Sequence, residues 1–298
     1  MQTKVLLNDR IVEMNQATVS ILDRGYQFGD GVYEVIRFYN GEFFELLPHL
    51  ERFKKSCEEV GIPFHFELLT LQKDISNLVK SAGYSSGYLY TQITRGTMQR
   101  NHLYLNEKNL EPQLVAYTVK EEQRPFENMT NGIKVLLCED IRWLRCDIKS
   151  LNLLGSVMLK NQAASLDAKE AVLHRNGYIT EGSATNVFIV KNGKLLTHPA
   201  NNLILNGITR QVIMALAKEL HIDVIEEAFT IDEFRLADEA FTSATVSEIC
   251  PIISFIENNN EFLIGNGQRG PITEKIQDAY TKKINIETKL FNPNVTRS

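Results

Sequence analysis

The sequence lacks the features that mark several specialised protein classes. Only four of its 298 residues are cysteines, and none forms a C-x-x-C pair with another, which argues against a zinc ribbon or a redox motif. The six histidines show no H-E-x-x-H or other ligand spacing, so we expect no metal site. We interpret the cysteines as isolated buried thiols.

Long apolar runs and clusters of positive charge are also missing. No stretch approaches the length that a membrane span needs, and the N-terminus meets a charged residue too early to form a signal sequence. The net charge is -5 and there is no basic block, which disfavours nucleic acid as a partner because phosphate neutralisation needs clustered Lys and Arg. We therefore expect a cytoplasmic protein.

The composition is that of an ordinary globular protein, with 43% hydrophobic and 23% charged residues. A chain of this length forms one large domain or two of ordinary size. The charged stretch at residues 120–125 resembles a linker. The sequence therefore predicts a smaller N-terminal domain over residues 1–122 and a larger domain over residues 123–298, ending in a frayed tail over residues 292–298.

Strand patterns recur in hairpin pairs rather than in strict strand–helix–strand alternation. The pairs are joined by the turn dipeptides Asn40-Gly41, Asn176-Gly177 and Asn192-Gly193. This favours an α+β fold with largely antiparallel sheets. We predict helices over residues 49–60, 66–82, 153–166, 209–220 and 273–284, and strands over residues 32–39, 42–44, 88–94, 113–119, 133–138, 171–174, 178–179, 186–190 and 194–197.

Lys149 is the first candidate for chemistry, because apolar Ile148 and Leu151 flank it and a helical pattern follows. A lysine held against apolar side chains loses hydration, which disfavours its ammonium form. A neutral lysine amine can form an imine with an aldehyde. The alternative is a lysine at a helix N-terminus whose amine simply reaches water.

A second candidate is the turn at Gly207, which leads into a helical pattern. The backbone N–H groups of Ile208 and Thr209 would then point outward at a helix N-terminus, where anions and phosphate especially are attracted. The alternative is that Thr209 caps its own helix.

Other charged residues are ordinary when they are taken singly. Glu181 follows a strand and precedes small polar residues, so it could accept a proton from a ring nitrogen or simply be a solvated turn glutamate. Arg52 lies on a predicted helix, and Arg100 and His102 lie in a loop after a strand. Arginine matches carboxylate and phosphate with its planar fork, but a single arginine of this kind is more often a surface charge.

Taken together, the motifs carry a family resemblance that runs from about Asn8 to about Ile284. They are DRGYQFGDGVYE from Asp23, EDIRW from Glu139 through Lys149-Ser150-Leu151-Asn152, Glu181-Gly182-Ser183 with Asn186-Val187-Phe188, Gly207-Ile208-Thr209-Arg210, and Ser247-Glu248-Ile249. The chain resembles the class IV, or fold type IV, pyridoxal-phosphate aminotransferases, and most closely the D-amino-acid aminotransferases among them. The resemblance implies a small N-terminal α/β domain and a larger C-terminal domain with a mainly antiparallel sheet or barrel.

The resemblance also implies roles for single residues. Lys149 would bind pyridoxal 5′-phosphate covalently and carry a proton between the substrate Cα and the C4′ carbon of the cofactor. Glu181 would pair with the pyridine nitrogen and keep it protonated, so that the ring acts as an electron sink. Arg52, Ile208, Thr209 and Thr245 would hold the phosphate. An amino donor and then a 2-oxo acid such as 2-oxoglutarate would react in turn, by a ping-pong mechanism.

Substrate handedness follows from where the carboxylate is bound. Lys149 reaches the cofactor from one face, so exchanging the carboxylate and side-chain pockets exchanges the enantiomer accepted. The D-specific enzymes trap the carboxylate with a tyrosine, an arginine and a histidine, the last two from the partner subunit. Tyr33, Arg100 and His102 match that set, which implies D-amino-acid substrates and a homodimer.

Some positions depart from that pattern. Arg37 is matched by an arginine in the branched-chain L-aminotransferases and could compete for the carboxylate or pair with a neighbour. Ala184, Ala244 and Val246 replace hydroxyl residues, and each lost hydrogen bond is worth about 1 kcal/mol. A branched-chain L-aminotransferase and an aminodeoxychorismate lyase would also keep Lys149 and Glu181, so both are alternatives. A non-enzymatic binding module is disfavoured, because it would not need both Lys149 and Glu181.

Overall fold

The computed structural model describes residues 4–104, 110–121 and 124–289, which form two compact units. The first contains the described residues up to Glu121, the segment Ile148–Asn152 and the chain from Ile284. The second contains residues 124–147 and Leu153–Lys283. The predicted boundary at residue 122, part of the predicted linker and the predicted frayed tail lie outside the described residues, so the domain division stays a prediction.

An antiparallel sheet and three helices form most of the first unit. The strands are β1 (Lys4–Leu7), β2 (Arg10–Glu13), β3 (Gly31–Tyr39), β4 (Glu42–Phe43), β5 (Gly87–Thr94) and β6 (Gln113–Lys120). They pair in the order β2-β1-β6-β5-β3-β4. The helices are α1 (Arg24–Phe28), α2 (Leu46–Glu59) and α3 (Leu68–Ala82), and a short 3-10 turn covers Met14–Gln16.

The core of the first unit lies where α2 and α3 cover the sheet. Apolar residues at helical spacing, such as Leu50 and Phe53 on α2 and Ile75 on α3, pack against Ile36 and Ile93 of the sheet. The turn between β3 and β4 has positive φ angles at both residues of its Asn-Gly pair, 53° and 77°, as a tight hairpin requires.

The second unit is built on a nine-stranded sheet. Its strands are β7 (Ile133–Glu139), β8 (Glu170–Arg175), β9 (Tyr178–Gly182), β10 (Asn186–Lys191), β11 (Lys194–Thr197), β12 (Val224–Glu226), β13 (Glu239–Ala244), β14 (Glu248–Glu257) and β15 (Asn260–Leu263). They pair in the order β12-β11-β10-β13-β14-β7-β8-β9, with β15 on β14. The helices are α4 (Phe126–Asn131), α5 (Leu154–Ser165), α6 (Ile208–Glu219), α7 (Ile231–Arg235) and α8 (Pro271–Glu287), of which α8 continues into the first unit.

Most strand pairs of this sheet are antiparallel, but three are parallel. They are β7 with β8, β7 with β14, and β11 with β12. Two of the three have a simple cause, because α5 connects β7 to β8 and α6 connects β11 to β12 as crossover helices, which parallel neighbours require. The α+β fold with largely antiparallel sheets is confirmed.

The five long helices start and end within three residues of their predicted positions. Within the described ranges, no helix has the length and apolar composition that a membrane span requires.

Candidate active site

The segment around Lys149 lies against strand β3 of the first unit in an extended conformation. Tyr33 N–H donates to Lys149 O at 2.9 Å, and Leu151 N–H donates to Gly31 O at 2.9 Å. Helix α5 begins only at Leu154. Lys149 therefore does not lie at a helix N-terminus, and the strand beside it fixes its backbone.

The amine of Lys149 lies over an aromatic ring. Its Nζ is 4.3 Å from the ring centroid of Tyr33, and that ring stacks on Tyr90 with the centroids 5.8 Å apart. The side chain is half-buried, and within the part of the chain that the structure describes its Nζ forms neither an ion pair nor a hydrogen bond. The amine is held in place by an aromatic surface and not by a carboxylate.

Arg52 projects from α2 and pairs with the fully buried carboxylate of Glu34. Its Nε donates to Oε1 at 2.6 Å and its Nη2 to Oε2 at 2.9 Å, and Oε2 lies 2.9 Å from His49 Nδ1. Burial alone would raise the pKa of Glu34, but Arg52 and His49 hold it well below its usual range. Burial lowers the pKa of His49, so the neutral ring donates its Nδ1 proton. The carboxylate orients the guanidinium of Arg52.

Arg100 and His102 lie together on the ring of Phe28, in the loop after β5. The Arg100 guanidinium carbon is 4.4 Å from the Phe28 centroid, and the His102 ring centroid is 5.3 Å from it. Both side chains are exposed. Within the described part of the first unit, neither residue forms a hydrogen bond or ring contact with Tyr33 or Lys149. The structure thus pairs the two loop residues but does not join them to the other predicted substrate residue.

Two buried arginines hold this loop against the sheet. Arg24 Nε and Arg95 Nε both donate to Asp30 Oδ2, at 2.7 and 2.9 Å. Arg24 Nη1 also donates to the backbone O of Asn101 at 2.6 Å, and the Arg95 guanidinium carbon lies 3.7 Å from the Tyr104 centroid. These buried arginines therefore fix the loop that carries Arg100 and His102.

Glu181 is buried near the end of β9 in the second unit, so it is not a solvated turn glutamate. Its Oε1 accepts from Arg142 Nη1 at 2.7 Å. Its Oε2 accepts from Asn186 Nδ2 and from Leu205 N–H, each at 3.0 Å. Burial raises the pKa of Glu181 to about 7, against the opposing effect of Arg142. The carboxyl group therefore gains and loses its proton near neutral pH, where it can share a proton with a basic ring nitrogen.

The guanidinium of Arg142 is shared between two carboxylates. Its Nε and Nη2 each donate to Asp140, at 2.9 Å. Burial alone would raise the pKa of Asp140, but hydrogen bonds and charge from Arg142 hold it below its usual value. Sequence reasoning did not single out Arg142 or Asp140, although both stand in the EDIRW motif. The D-x-R spacing within that motif was the available signal.

The N-terminus of α6 lies beside Glu181. Its N-cap is Gly207, and no side chain caps it, so Thr209 lies inside the helix and is not the cap. A Cβ at Gly207 would lie 2.1 Å from Asn186 Oδ1, and Asn186 Nδ2 donates both to Glu181 and to Leu205 O, the latter at 2.8 Å. The structure therefore brings Glu181 next to a twelve-residue helix whose first N–H groups have no intrahelical acceptor.

The turn between β13 and β14 carries Thr245. Flanking residues Ser243 and Ser247 have buried hydroxyl oxygens without a hydrogen-bond partner among the described residues, and so does Thr185 in the turn after β9. Ala184, Ala244 and Val246, which replace hydroxyl residues, are thus adjacent in sequence to Thr185, Ser243 and Ser247 respectively. The sequence patterns did not predict a role for these three hydroxyl residues. Buried hydroxyls without partners are unusual and fit a polar group that binds there.

Arg37 is buried in the first unit and pairs with a neighbour. Its Nη1 lies 2.7 Å from Glu121 Oε2, and its guanidinium carbon is 5.2 Å from the Tyr39 centroid. Of the two roles considered for this arginine, the structure shows the pairing.

The predicted residues thus fall into groups within each unit. In the first unit, Tyr33 contacts Lys149, Arg52 is held by Glu34, and Arg100 lies beside His102. In the second unit, Glu181 lies next to the helix N-terminus that begins with Ile208 and Thr209, and Thr245 lies between two buried hydroxyls.

Comparisons with known proteins point to the same family as the sequence motifs. The family model described as amino-transferase class IV matches residues 31–255. A D-alanine aminotransferase of Staphylococcus aureus (strain MSSA476) is 44% identical over 281 residues, which cover 94% of this chain and 98% of that protein. One from Listeria innocua is 46% identical over 282 residues, covering 94% and 96%.

Among solved structures, the branched-chain amino acid aminotransferase of Thermobaculum terrenum in its PLP form superposes with a TM-score of 0.82. Its sequence is 26% identical, and the match covers 96% of this chain and 95% of that one. The resemblance that the motifs indicated is confirmed.

Proposed function

Because the chain belongs to the class IV aminotransferases, we propose that it is a pyridoxal-phosphate-dependent transaminase of D-amino acids. It would move the amino group of D-alanine and similar substrates to 2-oxo acids such as 2-oxoglutarate. One observation carries this proposal: the D-alanine aminotransferase of Staphylococcus aureus is 44% identical across 98% of its length.

The residues present fit pyridoxal 5′-phosphate. When bound, this cofactor supplies an electron sink for breaking the Cα–H bond of an amino acid. Lys149 offers a primary amine without a carboxylate partner among the described residues, and we propose that it holds the cofactor. The α6 N-terminus at Ile208 and Thr209 and the hydroxyl of Thr245 would bind the phosphate, with Arg52 adding charge.

Glu181 would face the ring nitrogen. A buried carboxylate with a pKa of about 7 can hold a proton between itself and a pyridine nitrogen. Lys149 would then carry the proton that leaves Cα, because a half-buried amine fixed on an aromatic ring has few positions to occupy. Glu181 would therefore set the charge of the ring, and Lys149 would move the proton at the substrate Cα.

Tyr33, Arg100 and His102 would bind the substrate carboxylate and so select the D enantiomer. Arg100 and His102 are exposed and make no contact with Tyr33 within the described part of their own unit. We therefore propose that they serve the site of a second copy in a homodimer, where the same surface is used twice. Exposed apolar residues near the same loop, Ile21 at 77% and Leu103 at 70% exposed, support a surface that a partner covers.

The cytoplasm is the compartment that we propose. All four cysteines carry free thiols, which a reducing compartment preserves.

A branched-chain L-aminotransferase remains the alternative, because the Thermobaculum terrenum structure with that activity in its name shares the fold. One experiment separates the two. D-alanine and L-leucine are added separately to holoprotein without a 2-oxo acid, and the cofactor spectrum is recorded. We expect conversion to the pyridoxamine form with D-alanine alone; conversion with L-leucine alone would overturn the D assignment.

The role of Lys149 is tested in the same assay. Lys149→Ala should abolish both turnover and the yellow colour of bound cofactor, whereas Lys55→Ala, on the exposed side of α2, should change neither. Retained transamination by Lys149→Ala would refute the mechanism.

A further inference from the structure

The position of Arg142 is more tightly fixed than contact with Glu181 alone requires. Two of its nitrogens, Nε and Nη2, are bound by Asp140, and Asp140 Oδ1 also accepts the backbone N–H of Arg142 at 3.0 Å. Only Nη1 is directed at Glu181, at 2.7 Å. The side chain of Arg142 is 11% exposed, so this geometry is set inside the protein.

A second arginine supports the pair from behind. Arg175 Nε donates to Asp140 Oδ2 at 3.1 Å, and its Nη2 donates to the backbone oxygens of Arg142 and Trp143 at 2.8 and 3.0 Å. Helix α5 leaves room for the stem of Arg142, because a Cβ at Gly155 would lie 3.3 Å from Arg142 Cγ. Asp140 thus holds the guanidinium of Arg142, and Arg175 fixes both Asp140 and the backbone of Arg142.

Every hydrogen bond that Glu181 makes among the described residues is one that it accepts. Two of the donors, Asn186 and Leu205 N–H, are neutral, and Arg142 is the positive one. The neighbouring groups Asp140 and Cys146 do not supply a positive charge in place of Arg142. Asp140 is negative, and burial raises the pKa of the Cys146 thiol to about 11, so that thiol stays neutral.

We propose that Arg142 is a positioning residue that favours the anionic form of the buried Glu181 carboxylate and directs it at the ring nitrogen, with Asp140 and Arg175 holding Arg142 in place. This inference rests on the proposed role of Glu181. Without the positive charge, burial would drive Glu181 to its neutral acid, which can no longer hold a protonated ring nitrogen.

The test measures ionisation of Glu181 in the full-length apoprotein, so that it does not depend on turnover. Infrared carboxyl bands are recorded against pH, and the Glu181 band is identified by its loss in Glu181→Gln. Arg142→Met should shift the titration midpoint upward by about one pH unit or more. Arg142→Lys should raise the midpoint less than Arg142→Met does, because a lysine keeps the positive charge but lacks the planar fork.

Arg145→Met is the matched control. Arg145 lies three residues away and makes a comparable pair with Asp147, at 3.0 Å, on the exposed surface. This variant should leave the Glu181 midpoint unchanged. An unchanged midpoint in a folded Arg142→Met protein would overturn the proposal.

Arg175→Met covers the case in which Arg142→Met does not fold. Removing Arg175 leaves the Asp140 charge less neutralised, so we expect a smaller upward shift of the Glu181 midpoint; no shift would remove Arg175 and Asp140 from the account. Failure of the wild-type protein to react with D-alanine would refute the proposed function, while the apoprotein titration would still stand or fall by itself.

Discussion

The two units each bury a glutamate beside an arginine, but the two arginines are used differently. In the first unit Arg52 gives two nitrogens of its fork to Glu34, and His49 adds a third contact. In the second unit Arg142 gives two nitrogens to Asp140 and one to Glu181.

The pKa values of the two acids move in opposite directions as a result. Burial would raise both, but Arg52 and His49 reverse the effect for Glu34, whose pKa lies well below its usual range. For Glu181, one nitrogen of Arg142 does not overcome burial, and the pKa is raised to about 7. The carboxylate that receives two guanidinium nitrogens is a fixed charge that supports the fold, and the one that receives a single nitrogen keeps a proton equilibrium that chemistry can use.

The largest effect should come from Glu181→Gln. An amide cannot balance a protonated ring nitrogen, so we expect turnover with D-alanine to fall about 10²-fold or more, while the apoprotein unfolds at a urea concentration no lower than that of the wild type. Steady-state kinetics and urea titrations measure the two. Exposed Glu227→Gln is the control for a charge change in the same unit. Near-normal turnover in Glu181→Gln would contradict the proposed role of Glu181 in catalysis.

Glu34→Gln should act on stability instead. Arg52 would be left without its negative partner in a largely buried position, which costs about 3 kcal/mol. Urea unfolding of the apoprotein measures this loss, with Glu51→Gln on the exposed face of α2 as control. If Glu34→Gln were as stable as the control, the pair would not be structural.

The pH dependence of stability should differ in sign between the two acids. Glu181 has a raised pKa, so its stabilising contribution is complete below the ordinary value of 4.5 and is lost as pH rises to about 7. Between pH 4.5 and pH 8 that loss amounts to about 3 kcal/mol, and Glu181→Gln should abolish it. Glu34 has a lowered pKa, so its contribution is constant above 4.5 and falls only in stronger acid. Urea unfolding at several pH values tests both signs; a Glu181→Gln protein with the wild-type slope would contradict them.

Arg100→Ala should give the smallest effect on the fold. Unlike Arg52 and Arg142, Arg100 is exposed and lies on the ring of Phe28. We expect the KM for D-alanine to rise about tenfold or more, since a charged hydrogen bond to the carboxylate is lost, with little change in melting temperature. Exposed Arg10→Ala is the control. A lowered melting temperature with an unchanged KM would make Arg100 a structural residue.

The sequence predicted the parts of the fold that local patterns determine. The long helices and the strands β3 to β11 follow from periodicity and from Asn-Gly turns. The strands β1, β2 and β12 to β15 were not predicted. The first three are four residues or fewer, and β14 contains Pro251 inside an apolar run, which argues locally against a strand but is accommodated in the sheet.

The sequence predicted the site residues to which a motif assigns a role, but not the contacts that form only when distant segments pair in the fold. Arg142 and Glu181 are 39 residues apart. They meet because β7 pairs with β8, and β8 with β9, which returns Glu181 beside the segment after β7. No local pattern shows that an arginine will divide its fork between two carboxylates.

The central claim is that one amine, that of Lys149, carries the cofactor. The holoprotein is reduced with borohydride, digested with trypsin and mapped by mass spectrometry. Because a modified lysine resists trypsin, the account predicts a phosphopyridoxyl label on an uncleaved peptide spanning residues 146–160. A label on any other lysine, or none, would contradict it.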